Sequence, residues 1–189
     1  TFPDLMIDLL LSGGLMAALV PSFGSLPGGA GFTLFLRACL LVGPLFGLLA
    51  LVIALFSTSV LGIVAPGWPQ GLVEQTTSLF KVTLIALPIT ALSGVVVAFL
   101  CSKERFSFGA IGTLIFNCSI ISMLLIFVRL SPSVAIVIGI LSGAALRLAV
   151  QLLASRCFWE TPDFSIPCDY SGLLQRFVGS FGFFSILAL

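Results

Sequence analysis

Between Glu74 and Phe106 the chain reads EQTTSLFKVTLIALPITALSGVVVAFLCSKERF, a long apolar run with a lysine, Lys81, inside it. About 20 residues at 1.5 Å rise cross the roughly 30 Å hydrocarbon core of a bilayer, and this run is long enough to do so. A charge inside such a span costs roughly 2.5–3.5 kcal/mol on insertion scales. Lys81 must therefore be paired or face water. The run also holds Pro88 near its middle and ends in the charge cluster Lys103-Glu104-Arg105.

The rest of the chain has the same character. Of its 189 residues, 59% are hydrophobic and 8% charged, against about 25% charged in soluble domains. No globular core hides that much apolar surface, so the solvent is lipid. In lipid every backbone polar group must be satisfied internally, which leaves helices or closed barrels. Unbroken runs rich in Leu, Ala and Gly favour helices, whereas barrel strands alternate apolar and polar residues. The expected fold class is an all-α, polytopic membrane bundle of about six spans.

Segment one covers about 2–23, with Asp8 inside it and Pro21 near its end. The breaker GSLPGGAG follows. Segment two covers about 33–64, with Arg37 in its first turns. Gly43 and Gly47 form a small-xxx-small pair, and Pro44 predicts a bend. The loop APGWPQG ends it, with Trp68 suited to the membrane–water interface. Segment three covers about 72–102, and segment four about 107–130 with Asn117 near its centre. Ser131-Pro132 reads as an N-cap followed by proline at the first helical position. Segment five covers about 132–158 and carries Gly139-xxx-Gly143, then Arg147 and Gln151 one turn apart. The polar loop ETPDFSIPCDY precedes a sixth segment that starts near Leu173. The chain is apolar at both ends, so a piece of a longer transporter-like chain is expected.

Lysine and arginine near span ends mark the cytoplasmic side. Alternation puts 24–36, 102–107 and 156–172 on one side, with Arg37, Lys103, Arg105, Arg156 and Arg176. The other side has only Arg129. The first group is expected to be cytoplasmic.

Function has few carriers. Net charge is +1 and histidine is absent, so neither a nucleic-acid partner nor the commonest metal ligand and general base is indicated. The five cysteines form no CxxC pair and read as small apolar fillers. No cofactor, metal site or catalytic set is expected, and an enzyme is disfavoured. The intramembrane polar set is Asp8, Lys81, Asn117, Arg147 and Gln151, with Glu74 near the outer end of segment three. Glu74 and Lys81, at i and i+7, share one helix face. Two readings stay open for the ionised residues. They form ion pairs that lock the bundle, or they line a hydrated cavity that contacts an anionic headgroup or a coupling ion.

Several stretches carry a family resemblance. FPDLMIDLLLSGGLMAALVPSF resembles the second transmembrane helix of the MurJ/MviN family, roughly LPNLLRR-x-x-AEGAFSQAFVP, matching at Pro3, Leu5, Gly13, Ala18, Val20 and Pro21. Ala65-Pro66-Gly67 is similar to the family's outward loop. SKERFSFGAIGTLIFN resembles its NRF-x-x-PAxxPxLxN signature through Arg105, Phe106, Ser107 and Asn117. SGAALRLAVQL resembles its GGxLQLxxQL motif through Gly143, Leu148, Gln151 and Leu152. Together these cover nearly the whole chain in order.

The resemblance implies a flippase of the multidrug/oligosaccharidyl-lipid/polysaccharide exporter superfamily, which moves the undecaprenyl-linked peptidoglycan precursor lipid II across the bacterial cytoplasmic membrane. It implies that residues 1–158 are the first lobe without its first helix. Residues 159–171 would be a cytoplasmic inter-lobe linker, and 172–189 the start of a further helix. Its partners would be membrane lipids, the lipid-linked oligosaccharide and a second lobe. The family's arginine pair falls here on Ile7 and Asp8, and two family glutamines fall on Lys81 and Arg147. The resemblance thus points to Lys81 and Arg147 as substitute anion contacts with Asp8 as counter-charge. The rival expectations are a non-transporting remnant or accessory bundle, and an exporter of a different polyprenyl-linked glycan or a small cation.

Overall fold

The computed structural model describes residues 14–26, 28–64, 67, 69–127 and 131–161. Among them the regular elements are helices: α1 (Gly14–Gly24), α2 (Gly28–Leu55), α3 (Ser57–Val64), α4 (Gln70–Thr83), α5 (Ala86–Ser102), α6 (Ser107–Phe127) and α7 (Pro132–Ser155), with a 3-10 turn at Arg156–Phe158. Four stretches are long and apolar enough to cross a membrane: Gly29–Leu55, Gly71–Ser102, Ser107–Phe127 and Pro132–Phe158. The chain is thus an all-α membrane bundle, and these stretches correspond to segments two to five. Segment one is described only from Gly14, and segment six lies outside the described residues.

α5 is the centre of the bundle. Its sequence VVVAFLC, Val95 to Cys101, is buried without interruption. Protein covers this stretch on every side, since α5 packs against α1, α2 and α7. The core gathers Leu19 and Phe23 of α1, Phe35, Val42 and Phe46 of α2, and Val95, Phe99 and Leu100 of α5. α6 is the opposite case. Only 6% of its apolar window is buried, against 56% for the span containing α5. It packs chiefly on α7, and its remaining apolar surface is exposed.

Glycine sets the α6–α7 distance. A β-carbon on Gly139 would stand 2.9 Å from the Ile120 Cα, and one on Gly143 would stand 3.1 Å from the Phe116 carbonyl oxygen. The Gly139-xxx-Gly143 pair is therefore a backbone-to-backbone contact, as small residues at membrane helix interfaces allow. Ser119 and Ser142 meet at 2.9 Å in the same interface. Ser142 Oγ sits 2.7 Å from the Ile138 carbonyl as a donor, which leaves Ser119 to donate to Ser142. The Gly43/Gly47 pair is different: Gly43 meets only the Leu92 side chain at 3.4 Å, and Gly47 meets nothing.

The long spans break in two places. The third segment opens at Leu84–Ile85, between α4 and α5. Pro88 explains the position. It has no N–H to offer the carbonyl four residues earlier, that of Leu84, which instead accepts from the Leu87 N–H at 3.0 Å. The break thus appears one turn before the proline. Segment two, by contrast, continues as α2 through Pro44 and is interrupted at Phe56. It also starts at Gly28, earlier than expected, so Arg37 lies about 14 Å into α2 at 1.5 Å per residue.

One end of the bundle is aromatic. Phe23, Phe35 and Phe99 form a mutual cluster with centroids 4.7 to 6.5 Å apart. Phe32 joins it and reaches Trp159 at 6.0 Å. The Trp159 indole donates to Ser155 Oγ at 3.1 Å. Lys103 lies over Phe99 and Arg156 over Trp159, contacts that favour a cation on a ring face. The connections at 24–36, 102–107 and after 156 therefore meet at one end, as the alternation of segments requires. At that end α5 closes in a Schellman turn, Arg105 N–H to the Leu100 carbonyl and Glu104 N–H to the Cys101 carbonyl, each 3.0 Å. Glu104 holds the left-handed position (φ 61) usually given to glycine.

Candidate functional site

α4 forms the first part of the Gly71–Ser102 span and has a polar face. Its sequence is QGLVEQTTSLFKVT. Glu74, Ser78 and Lys81 stand at i, i+4 and i+7 and so share one face. All three are exposed, as is Gln75. Two of the threonines behave differently: Thr77 Oγ1 donates to the Val73 carbonyl at 2.7 Å and Thr83 Oγ1 to the Leu79 carbonyl at 2.9 Å. Hydroxyls folded back in this way are satisfied without water. The stripe is thus made of Glu74, Gln75, Ser78 and Lys81. Lys81 lies in the last turn of α4, beside the helix end created by the break. The negative end of the helix dipole favours a cation there by about 0.3–1 kcal/mol, less than the insertion cost of a buried lysine.

The depth of Lys81 follows from the packing. Ser93 of α5 donates to Gln151 Oε1 of α7 at 2.5 Å, which ties the two helices in register. Counting outward from that pair at 1.5 Å per residue, Lys81 lies about 18 Å away, roughly level with Gly139 of α7. Gly139 touches Ile120 of α6. Ile120 in turn is about 10 Å short of the α6 end at Phe127. Lys81 is therefore about 10 Å in from the outer ends of α6 and α7, not level with them.

Arg147 and Gln151 form a second polar group. Gln151 is fully buried, with its Oε1 held by Ser93 and its Nε2 in a long 3.5 Å contact with the Phe108 carbonyl. Arg147, one turn away, is half-buried and lies across Gly112 of α6. The structure brings Arg147 and Gln151 together around α6. It does not bring Lys81 to them, since Lys81 is roughly 12 Å further from the Ser93–Gln151 pair along the bundle than Arg147 is. Asn117 is exposed on α6, on the turn that packs against Gly143. Asp8 lies outside the described residues.

Sequence reasoning did not single out Ser93 or Gly112. Ser93 is fully buried, and its signal was the Ser93-Gly94 step within an otherwise bulky apolar helix. Gly112 had a weaker signal, its three-residue spacing from Gly109.

Residues 1–188 match the family model described as Lipid II flippase MurJ. No curated protein and no solved structure matches the chain.

Proposed function

The chain belongs to the MurJ lipid II flippase family, and from that premise we propose that it takes part in moving lipid II, or a related undecaprenyl-linked oligosaccharide, across the bacterial cytoplasmic membrane. The observation that carries this reading is the family match over nearly the entire chain. Lys81, at the inner end of the exposed stripe Glu74–Gln75–Ser78–Lys81, supports it, because a charge at that depth is stable only against water or a polar ligand. Lys81 and Arg147 are the contacts to the diphosphate, for which lysine and arginine are the usual protein partners. Their separation in depth suits successive contacts along a path, with Asn117 as a further polar contact and Asp8 as counter-charge. Gln151 supports Arg147 from behind. The aromatic end faces the cytoplasm, because it carries Lys103, Arg105 and Arg156.

Transport of this kind requires no covalent chemistry from the protein. It requires two arrangements of the bundle that expose one site to alternate sides, with a second lobe completing the cavity.

Native mass spectrometry of the intact protein in lipid nanodiscs tests the substrate class. Offered lipid II, undecaprenyl phosphate and phosphatidylglycerol in competition, it is expected to retain lipid II. Retention without preference would overturn the diphosphate reading. Preference for the monophosphate would move it to a different polyprenyl-linked cargo.

A further inference from the structure

Arg147 is seated in a notch of the neighbouring helix, and the notch exists because residue 112 has no side chain. A β-carbon on Gly112 would press on Gln151 Nε2 and would stand 3.1 Å from Arg147 Cγ and 3.3 Å from Arg147 Nε. The arginine stem thus runs across α6 at this point, with its Nε buried. Gln151 walls the notch. It cannot swing away freely, because Ser93 holds its Oε1 at 2.5 Å and both residues are fully buried.

Gly112 differs from the glycines that set the helix spacing. At Gly139 the obstructing atom is the Ile120 Cα, and at Gly143 it includes the Phe116 carbonyl oxygen. Backbone cannot yield without moving a helix. At Gly112 the three nearest atoms all belong to the side chains of Arg147 and Gln151. An added methyl group there meets those side chains first, and because Gln151 is held by Ser93 it is the Arg147 stem that has room to give. The need for glycine at 112 is therefore set first by Arg147 and Gln151.

We propose that Gly112 is a positioning residue: its notch, closed by the Ser93–Gln151 pair, fixes the Arg147 guanidinium where it meets an anionic diphosphate group. This rests on the reading of Arg147 as an anion contact. A long flexible side chain loses rotamer freedom when it binds, and a seated stem has lost part of it beforehand.

The test is a double-mutant cycle on the intact protein in nanodiscs. It measures binding of farnesyl diphosphate, with farnesol as the arm lacking the diphosphate. Arg147→Gln should weaken farnesyl diphosphate binding about tenfold or more, as expected for a charge-assisted contact. Gly112→Ala should weaken it about fivefold or more, and the double variant should bind no more weakly than Arg147→Gln alone. Gln151→Ala, which opens the wall without adding atoms, should also weaken binding, and only while Arg147 is present. An additive double variant, unchanged binding in Gly112→Ala, or a Gly112→Ala protein that fails to fold would each overturn the notch. Unchanged binding in Arg147→Gln would instead remove the anion contact itself, and the proposal with it.

Discussion

Replacing Lys81 by glutamine is expected to lower translocation of a diphosphate-linked lipid at least about tenfold, while the fold stays as stable as before or becomes more so. The two effects have opposite signs because the lysine has opposite values for folding and for transport. For folding it is a charge that must keep water at membrane depth, a cost below the roughly 2.5–3.5 kcal/mol of a dry span. The α4 end dipole offsets part of it. For transport it is a point charge for a diphosphate, in a contact that contributes about 1.5–3 kcal/mol. Glutamine removes both terms. The bundle-locking alternative predicts the reverse for stability, since breaking a buried ion pair costs about 3–5 kcal/mol. Glu74 is not placed to make that pair within α4, because seven residues separate it from Lys81 by about 10 Å, beyond the i,i+4 spacing of helical ion pairs. Translocation in proteoliposomes together with thermal unfolding separates the two cases. Lys81→Arg should keep most of the activity, because it keeps the charge.

Gly139→Ala is expected to destabilise the bundle by about 1–3 kcal/mol, the usual cost of overpacking, and Gly139→Leu to separate α6 from α7. The added carbon meets the Ile120 Cα at 2.9 Å, so the helix itself must move. The loss would be carried by α6 above all, because that helix has little other protein contact. Gly47→Ala is the matched control. A β-carbon there meets nothing, and alanine is the better helix former by about 0.8–1 kcal/mol, so stability should hold or rise. Unfolding in detergent, with a fluorophore on α6, reads both. A neutral Gly139→Ala would contradict the backbone contact described above.

These two glycine pairs show what was legible in the sequence. Both read as small-xxx-small signals, and only the tertiary packing tells a contact from a glycine facing open space. The spans were readable because apolar length decides them. Their breaks were less so: proline names a defect, but the carbonyl it orphans lies one turn earlier, and α2 passes through Pro44 while opening at Phe56. Lys81 stood out because a charge in a lipid-solvated helix has a large cost. Ser93 did not, because a serine can satisfy itself on its own helix, and nothing local distinguishes that from a bond to Gln151. Gly112 was hidden for a related reason, since its role is defined by side chains on another helix.

The central claim is that the α4 stripe faces water at membrane depth. Ser78→Cys lies between Glu74 and Lys81 on that face, and Ile121→Cys on α6 is an apolar-face reference, 57% exposed and about 9 Å from the helix end. Since thiol reagents react with the thiolate, which forms in water and not in acyl chains, the rate of labelling by a charged, membrane-impermeant methanethiosulfonate in intact vesicles reads the difference. Labelling at Ser78→Cys at least about tenfold faster than at Ile121→Cys, and slowed by added lipid II, is the predicted result. Equal, slow labelling at both positions would mean that the stripe faces acyl chains, and the transport path drawn along it would be wrong.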